Sequence, residues 1–326
     1  MLRSETAADP DRLAAALAGL RAYQQAPRDV CSSFPDVLDR EGRVVLRSYG
    51  AQGPQILFVP SLINGSTVLD LTAQNSMMRG LAARGLNPLL LDWGTPGPEE
   101  ADLDIAGHVE RYLVPLLRRR GDIILAGYCL GGTMTVAAAM SCRPRALILI
   151  ATPWDFTGFP DQARADLARL WQAAGPVAEH MGLVPAEVMQ QAFWQLDPAR
   201  TVQKFIQFAD KDPASVEGRN YIAVEDWAND GPPMTFSAGR QLLEEMHGAN
   251  ITGEGRWVVG GAPVDPASLD IPILNIVSLA DRITPAASAW AGGEVISLDE
   301  GHVGMVVGRR APGSLWALIA DWVNRL

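Results

Sequence analysis

Four short runs of almost wholly apolar residues, Ile56 to Val59, Pro88 to Leu91, Ile123 to Ala126 and Ala146 to Ile150, punctuate the first half of the chain. Stretches with helical character follow three of them closely, over 72–84, 104–119 and 130–141. Strands that are apolar throughout belong in a sheet covered on both faces, and their alternation with helices predicts an α/β fold with a mostly parallel sheet. Arg43 to Tyr49 reads as an earlier strand closed by a turn over 50–54. Ile273 to Val277 and Glu294 to Leu298 resume the pattern late in the sequence, and a helix over 314–325 closes it.

Between about 153 and 262 this rhythm is lost. Trp171, Trp194 and Trp227 fall among Gln- and Pro-rich segments, with no buried strand before Trp257 to Val259. The interval reads as an inserted, mainly helical cap. Residues 10–23 space Leu13, Leu17 and Leu20 as one face of an amphipathic helix. The expected organisation is an N-terminal helical arm over 1–42, a core formed by 43–152 with 263–326, and a cap over 153–262.

Bulk properties narrow the function classes. With 326 residues, 48% of them hydrophobic, the chain can bury a large core. A formal charge of -10 and the lack of any basic run with interleaved aromatics argue against a nucleic-acid partner. The opening MLRSETAADPDRLAAALAGLRAY lacks the apolar centre of a secretory signal, and no stretch approaches the roughly 20 apolar residues of a membrane span. A cytoplasmic location is expected. The three cysteines, Cys31, Cys129 and Cys142, have no metal-type spacing and suit a reducing compartment, so neither a metal nor a disulfide framework is expected.

Residues 122–141 read DIILAGYCLGGTMTVAAAMS. An apolar strand runs into Gly127-Tyr128-Cys129-Leu130-Gly131 and then into a helix of small residues. This G-x-C-x-G pattern in strand-turn-helix context is the nucleophile elbow of an α/β-hydrolase fold. A reactive group held on such a sharp bend needs glycines two residues to either side, so that strand and helix approach without clashing Cβ atoms. The bend also aims the sulfur at the positive end of the helix, where negative charge is stabilised. The competing reading, a buried small hydrophobe, fits Cys31 and Cys142 better, because neither has such a context.

In this architecture an acid and then a histidine follow the nucleophile on loops after late strands. Of four histidines, His108 precedes the nucleophile, and His180 and His247 fall in the cap. His302, in the loop Asp299-Glu300-Gly301-His302-Val303-Gly304, is therefore the expected base. Asp281, just after the strand ILNIVS, is the expected acid, ahead of Asp270 and Asp299. An oxyanion hole would take one amide from Leu130 and a second from Leu62 or Ile63 in the loop Pro60-Ser61-Leu62-Ile63-Asn64-Gly65.

Several blocks in order, FVPSLINGSTVLDLTAQNSMMRGLAARG, LDWGTPG, GYCLGGTMT, EDWANDGPP, IPILNIVSLADRITP and GHVGMVVGRRAPGSLWALIADWV, resemble the polyhydroxyalkanoate synthases, especially the shorter class III catalytic subunits. The resemblance runs from about 55 to the C-terminus. It implies that Cys129 carries an acyl chain taken from 3-hydroxyacyl-CoA, a substrate and not a cofactor, and that Asp281 and His302 complete a triad. A hydroxyl of one acyl unit then attacks the next thioester, and Asp281 assists in activating that hydroxyl. It further implies a homodimer or a second synthase subunit as partner, and association with a polyester granule surface. Where the family carries a bulkier aromatic segment after the residue matching Asn64, this chain has Gly65-Ser66-Thr67, which implies a more open wall. Two other outcomes share the fold: a cysteine thioesterase or esterase, in which water resolves the acyl-enzyme, and a non-catalytic granule-associated protein.

Overall fold

The computed structural model describes residues 5–28 and 35–326, so Cys31 lies outside the described residues. Eight strands form one sheet: β1 (Asp36–Glu41), β2 (Val44–Ser48), β3 (Gln55–Val59), β4 (Asn87–Asp92), β5 (Ile124–Tyr128), β6 (Ala146–Ile150), β7 (Ile273–Ser278) and β8 (Glu294–Leu298). Their spatial order is β1-β2-β4-β3-β5-β6-β7-β8. Pairing is parallel from β4 through β8, and antiparallel for β1 with β2 and β2 with β4.

Side chains alternate between two cores, one on each face of the sheet. Leu57 and Val59 of β3 join one core, and Ile56 and Phe58 the other. Helix α1 (Pro10–Gln25) lies outside this frame, while α2 (Met77–Ala82) and the composite helix α3 (Ile105–His108, Val109–Leu113, Val114–Arg118) cover opposite faces. Helix α4 (Leu130–Cys142) leaves the end of β5 with its first ten residues buried. The central strands are apolar because both faces are covered, whereas β1 at the edge carries charged residues, with Asp36 and Arg40 exposed.

That edge corrects the sequence reading. Asp36–Glu41, assigned there to the N-terminal arm, is a strand of the sheet, disguised by charges that suit an exposed edge. The helix expected over 72–84 is confined to Met77–Ala82, because Asp70 bridges Ser76 across a turn and the Ser76 hydroxyl caps the helix at the Arg79 amide, 3.0 Å away. The strand expected at Trp257 to Val259 reduces to Val258–Val259, paired with Ala262–Pro263 outside the main sheet.

Between β6 and β7 the chain forms α5 (Asp161–Met181), α6 (Ala186–Leu196), α7 (Pro198–Ala209), α8 (Val216–Asn229) and α9, which runs as Phe236–Arg240 and then as a π-helix over Gln241–Gly248. Helix α1 packs directly on α7. A Cβ on Gly19 would sit 1.7 Å from the Phe205 carbonyl oxygen, so only glycine permits this approach. Tyr23 and Arg28 reinforce the contact by hydrogen-bonding Asp226 of α8, at 2.6 and 2.9 Å. Among the described residues no helix is long and apolar enough to cross a membrane.

Candidate active site

Cys129 sits at the bend between β5 and α4 with φ 55° and ψ -131°, a conformation that non-glycine residues rarely adopt. Its own amide donates to the Ile150 carbonyl at 2.9 Å, which fixes the bend to the neighbouring strand. The flanking glycines are required by contact. A Cβ on Gly127 would fall 2.3 Å from the Gly132 Cα, and one on Gly131 would fall 2.1 Å from the Val59 carbonyl oxygen. Sequence and local geometry therefore agree on why this bend needs these residues.

The loops after β7 and β8 bring Asp281 and His302 to the same place. His302 Nδ1 and Asp281 Oδ2 are 2.6 Å apart. The other carboxylate oxygen, Oδ1, accepts from the amides of Ile283 at 2.8 Å and Thr284 at 2.9 Å. A carboxylate held by two amides and an imidazole is fully oriented, so it fixes the plane of the ring it touches. Cys129 lies close enough to the ring for its charge to act on His302. All three residues are nearly sealed from solvent: Cys129 is 9% exposed, Asp281 6% and His302 7%.

Burial alone would keep this imidazole neutral. The charge of Cys129 and the hydrogen bond and charge of Asp281 outweigh that desolvation and raise His302 to about 10, so the ring is protonated near neutral pH. The arrangement can hold a thiolate beside an imidazolium, deliver a proton to a leaving group, and take one back from an incoming hydroxyl.

Two neighbours were not legible as site residues. Tyr128 stacks on the His302 ring, with centroids 4.9 Å apart, and its hydroxyl donates to the His302 carbonyl at 3.1 Å. Thr284 places its hydroxyl 3.8 Å from the Cys129 sulfur. Each is close in sequence to a residue the motifs single out, Tyr128 before Cys129 and Thr284 after Asp281, but neither belongs to a spacing rule.

The expected oxyanion donors are placed unequally. Leu130 opens α4 and lines the cavity at the sulfur. Ile63 lines the same space, whereas Leu62 is buried in the core and reaches neither chamber beside Cys129. The Ile63 amide donates to the Ser61 hydroxyl at 3.1 Å. That loop is also tied to α8: Trp227 Nε1 donates to the Gly65 carbonyl at 2.8 Å, and Asn64 Nδ2 donates to the Trp227 carbonyl at 3.3 Å. A Cβ on Gly65 would meet only the Thr67 hydroxyl at 4.0 Å, so the wall there is open.

Two chambers meet at the sulfur. One, of about 550 Å³, runs under α5 and α6 past Phe156, Leu167 and Met189. The other, of about 170 Å³, runs past Asn64, Trp227 and His302. Cys129, Ile63, Phe193 and Ile283 border both. His108, set aside on chain order, is buried against Asp104 and Arg43 away from both chambers, and burial lowers it to about 4. Among the described residues no three His, Cys, Asp or Glu side chains gather as a metal site.

Comparison with known proteins adds three findings. A family model described as "Alpha/beta hydrolase family" matches residues 56–310. The chain is 29% identical to a "Poly(3-hydroxyalkanoate) polymerase subunit PhaC" of Haloferax mediterranei, over 82% of this chain and 58% of that one. It is also 29% identical to the protein of the same description from Allochromatium vinosum, over 84% of this chain and 81% of that one. It thus spans under two thirds of the first relative and most of the second. Among solved structures, an N-acyl homoserine lactonase bound to N-hexanoyl homoserine aligns with TM-score 0.51 and 14% identity over 90% of this chain and 97% of that one. A Mycobacterium tuberculosis protein aligns with TM-score 0.50 and 14% identity over 87% and 94%. At such identity the two structures speak to the fold alone.

Proposed function

The chain belongs to the alpha/beta hydrolase family, and from that premise we propose that it is an acyltransferase of the polyhydroxyalkanoate-synthase type, building polyester from 3-hydroxyacyl-CoA through an acyl group carried on Cys129. The observation that carries this reading is the convergence of a cysteine on a strained bend with an imidazole held by a buried carboxylate at 2.6 Å. The relatives described as poly(3-hydroxyalkanoate) polymerase subunits support the substrate class.

In this mechanism the Cys129 thiolate attacks the thioester carbonyl, and the oxyanion is met by the amide of Leu130 and by that of Ile63, once Ile63 turns from Ser61. The carbon–sulfur bond to CoA breaks, and His302 gives its proton to the departing CoA sulfur. The ring, now neutral and still aligned by Asp281, accepts the proton of a 3-hydroxyl as that oxygen attacks an acyl thioester. An ester forms and a cysteine sulfur leaves. Exchange of one thioester for another is nearly isoenergetic, and the later step expels a good leaving group, which is why a cysteine suits this reaction better than a serine. No group beyond the chain's own residues and the CoA substrate is required.

The word subunit in the relatives' description supports a second synthase subunit, or a second copy of this chain, as partner. We place the reaction in the cytoplasm at a polyester granule surface, where an insoluble product would accumulate. The test supplies 3-hydroxybutyryl-CoA to the purified protein and follows CoA release, turbidity and free acid together. Polymer without matching free acid is expected; free acid equal to CoA would make the protein a thioesterase. Radiolabelled substrate should remain on the wild type and not on Cys129→Ala, and labelling of neither would leave a non-catalytic protein.

A further inference from the structure

His247 borders the 550 Å³ chamber that opens at Cys129. It is wedged edge-on against Phe156 and Phe159, at centroid distances of 4.7 and 4.8 Å, and its backbone carbonyl accepts from Arg164. Its Nδ1 is sealed in protein with no hydrogen-bond partner. Nε2 is not sealed and unpartnered as Nδ1 is, and the residue lines the chamber, which makes Nε2 the ring nitrogen available to an occupant. A sealed, unmet ring nitrogen is costly, and burial reinforced by the charge of Arg164 lowers His247 to about 3, so the ring is neutral.

Neutral imidazole has one donor and one acceptor. A sealed N–H without an acceptor is the rarer and costlier defect, whereas an unmet lone pair is better tolerated. The proton therefore sits on Nε2, and His247 presents an uncharged donor beside the apolar stretch formed by Phe156, Phe159, Leu167, Met189 and Leu242, with Gln162, Gln195, Thr284 and Arg282 elsewhere on the lining. A plain fatty acyl chain would leave that donor unmet. A carboxylate at that donor would lack a free cation to compensate its desolvation, because Arg282 on the lining is paired with Asp197 at 2.6 Å. An oligoester, apolar apart from spaced carbonyl acceptors and lacking donors along its length, satisfies both wall and donor.

We infer that the larger chamber is a subsite for the ester-linked acyl unit preceding the one on Cys129, and that His247 Nε2 donates a hydrogen bond to its ester carbonyl. The inference rests on the proposed acyl-cysteine chemistry and assigns His247 as a specificity-determining residue for it. Elongation from an oligoester is then favoured over loading of a single unit.

The test compares two acyl-CoA thioesters of equal length: 3-acetoxybutyryl-CoA, which carries an internal ester, and 3-methylhexanoyl-CoA, which replaces that ester with methylenes. Neither has a free hydroxyl, so each halts at the acyl-enzyme and releases one CoA per site. The wild type is expected to acylate faster with the ester compound. The ratio of the two rates should fall about tenfold in His247→Leu, the equivalent of ~1.4 kcal/mol, and should survive in His247→Gln, whose amide still donates. A ratio unchanged in His247→Leu overturns the inference. As a readout independent of any variant, the Nε2 proton resonance of His247 should move downfield in the ester acyl-enzyme alone; equal positions in both acyl-enzymes also overturn it. Continued CoA release beyond one per site would overturn the polymerase reading while leaving the rate ratio to judge His247. No release from either compound overturns both.

Discussion

Replacing Asp281 with asparagine isolates what the carboxylate does for His302. The amides of Ile283 and Thr284, at 2.8 and 2.9 Å from Oδ1, can keep the side-chain carbonyl of asparagine in the same place. The NH2 group then faces His302 Nδ1, where a carboxylate oxygen lies at 2.6 Å in the wild type. Two donors confront each other. Either the imidazolium loses its charge-assisted hydrogen bond, which contributes about 1.5–3 kcal/mol, or the ring gives up its Nδ1 proton and is left with the proton on Nε2, the atom that would serve Cys129. The first effect alone gives about a 10- to 10²-fold loss of rate, and the wrong tautomer extends it to about 10⁴, the loss known for the equivalent change in a serine triad. Single-turnover CoA release measures the acylation rate, and thermal melting monitors the fold. His302 should also titrate below its wild-type value of about 10, because the hydrogen bond and charge of Asp281 no longer offset burial while the contribution of Cys129 remains. A histidine raised above its unfolded value of 6.5 stabilises the fold fully below pH 6.5 and loses that contribution as pH rises toward 10. Asp281→Asn should therefore flatten the fall in melting temperature between those limits. An acylation rate within threefold of wild type, with His302 still titrating near 10, would refute the orienting role.

Three further substitutions probe the elbow and its supports. Gly131→Ala forces a methyl to 2.1 Å from the Val59 carbonyl oxygen, and should destabilise the protein by about 1–3 kcal/mol in urea titration, with activity lost as the bend shifts; unchanged stability would show that strand and helix can part freely. Tyr128→Phe keeps the stacking on His302 but deletes the hydroxyl bond of 3.1 Å, so a loss of about 0.5–1.5 kcal/mol is expected with little change in acylation. Trp227→Phe removes the indole bond to the Gly65 carbonyl; acylation should slow while the CoA-thioester KM changes less, and a change confined to KM would place that tie outside the reacting centre.

Much of this was legible because parallel strands and a nucleophile bend impose local requirements. Strands β3, β5, β6 and β7 announce themselves as apolar runs, since both faces must be covered. Gly127, Cys129 and Gly131 announce the bend, since no Cβ fits beside Gly132 or Val59. Chain order then singles out Asp281 and His302. What escaped depends on long-range contact. Strand β1 is polar because its exposure as an edge, unlike burial, places no demand on composition. Thr284 and Tyr128 matter through where a loop and a ring come to rest, and the second oxyanion amide is decided by the turn of one loop past Ser61. The EDWANDGPP block was recognisable as a pattern without a role. The structure shows Glu225 paired with Lys204, Asp226 with Tyr23 and Arg28, and Trp227 with Gly65.

That last bond and its reciprocal, from the Asn64 side chain to the Trp227 carbonyl, stitch α8 to the segment that faces the sulfur. The inserted helices consequently cannot swing aside as a loose flap and leave the chemistry undisturbed: any excursion of α8 pulls on the peptide planes beside the reacting carbonyl. In the proposed reaction, admission of a thioester and stabilisation of the tetrahedral intermediate would both depend on where α8 holds that segment. Helix α1, anchored to the same arm through Asp226, adds weight to its far end.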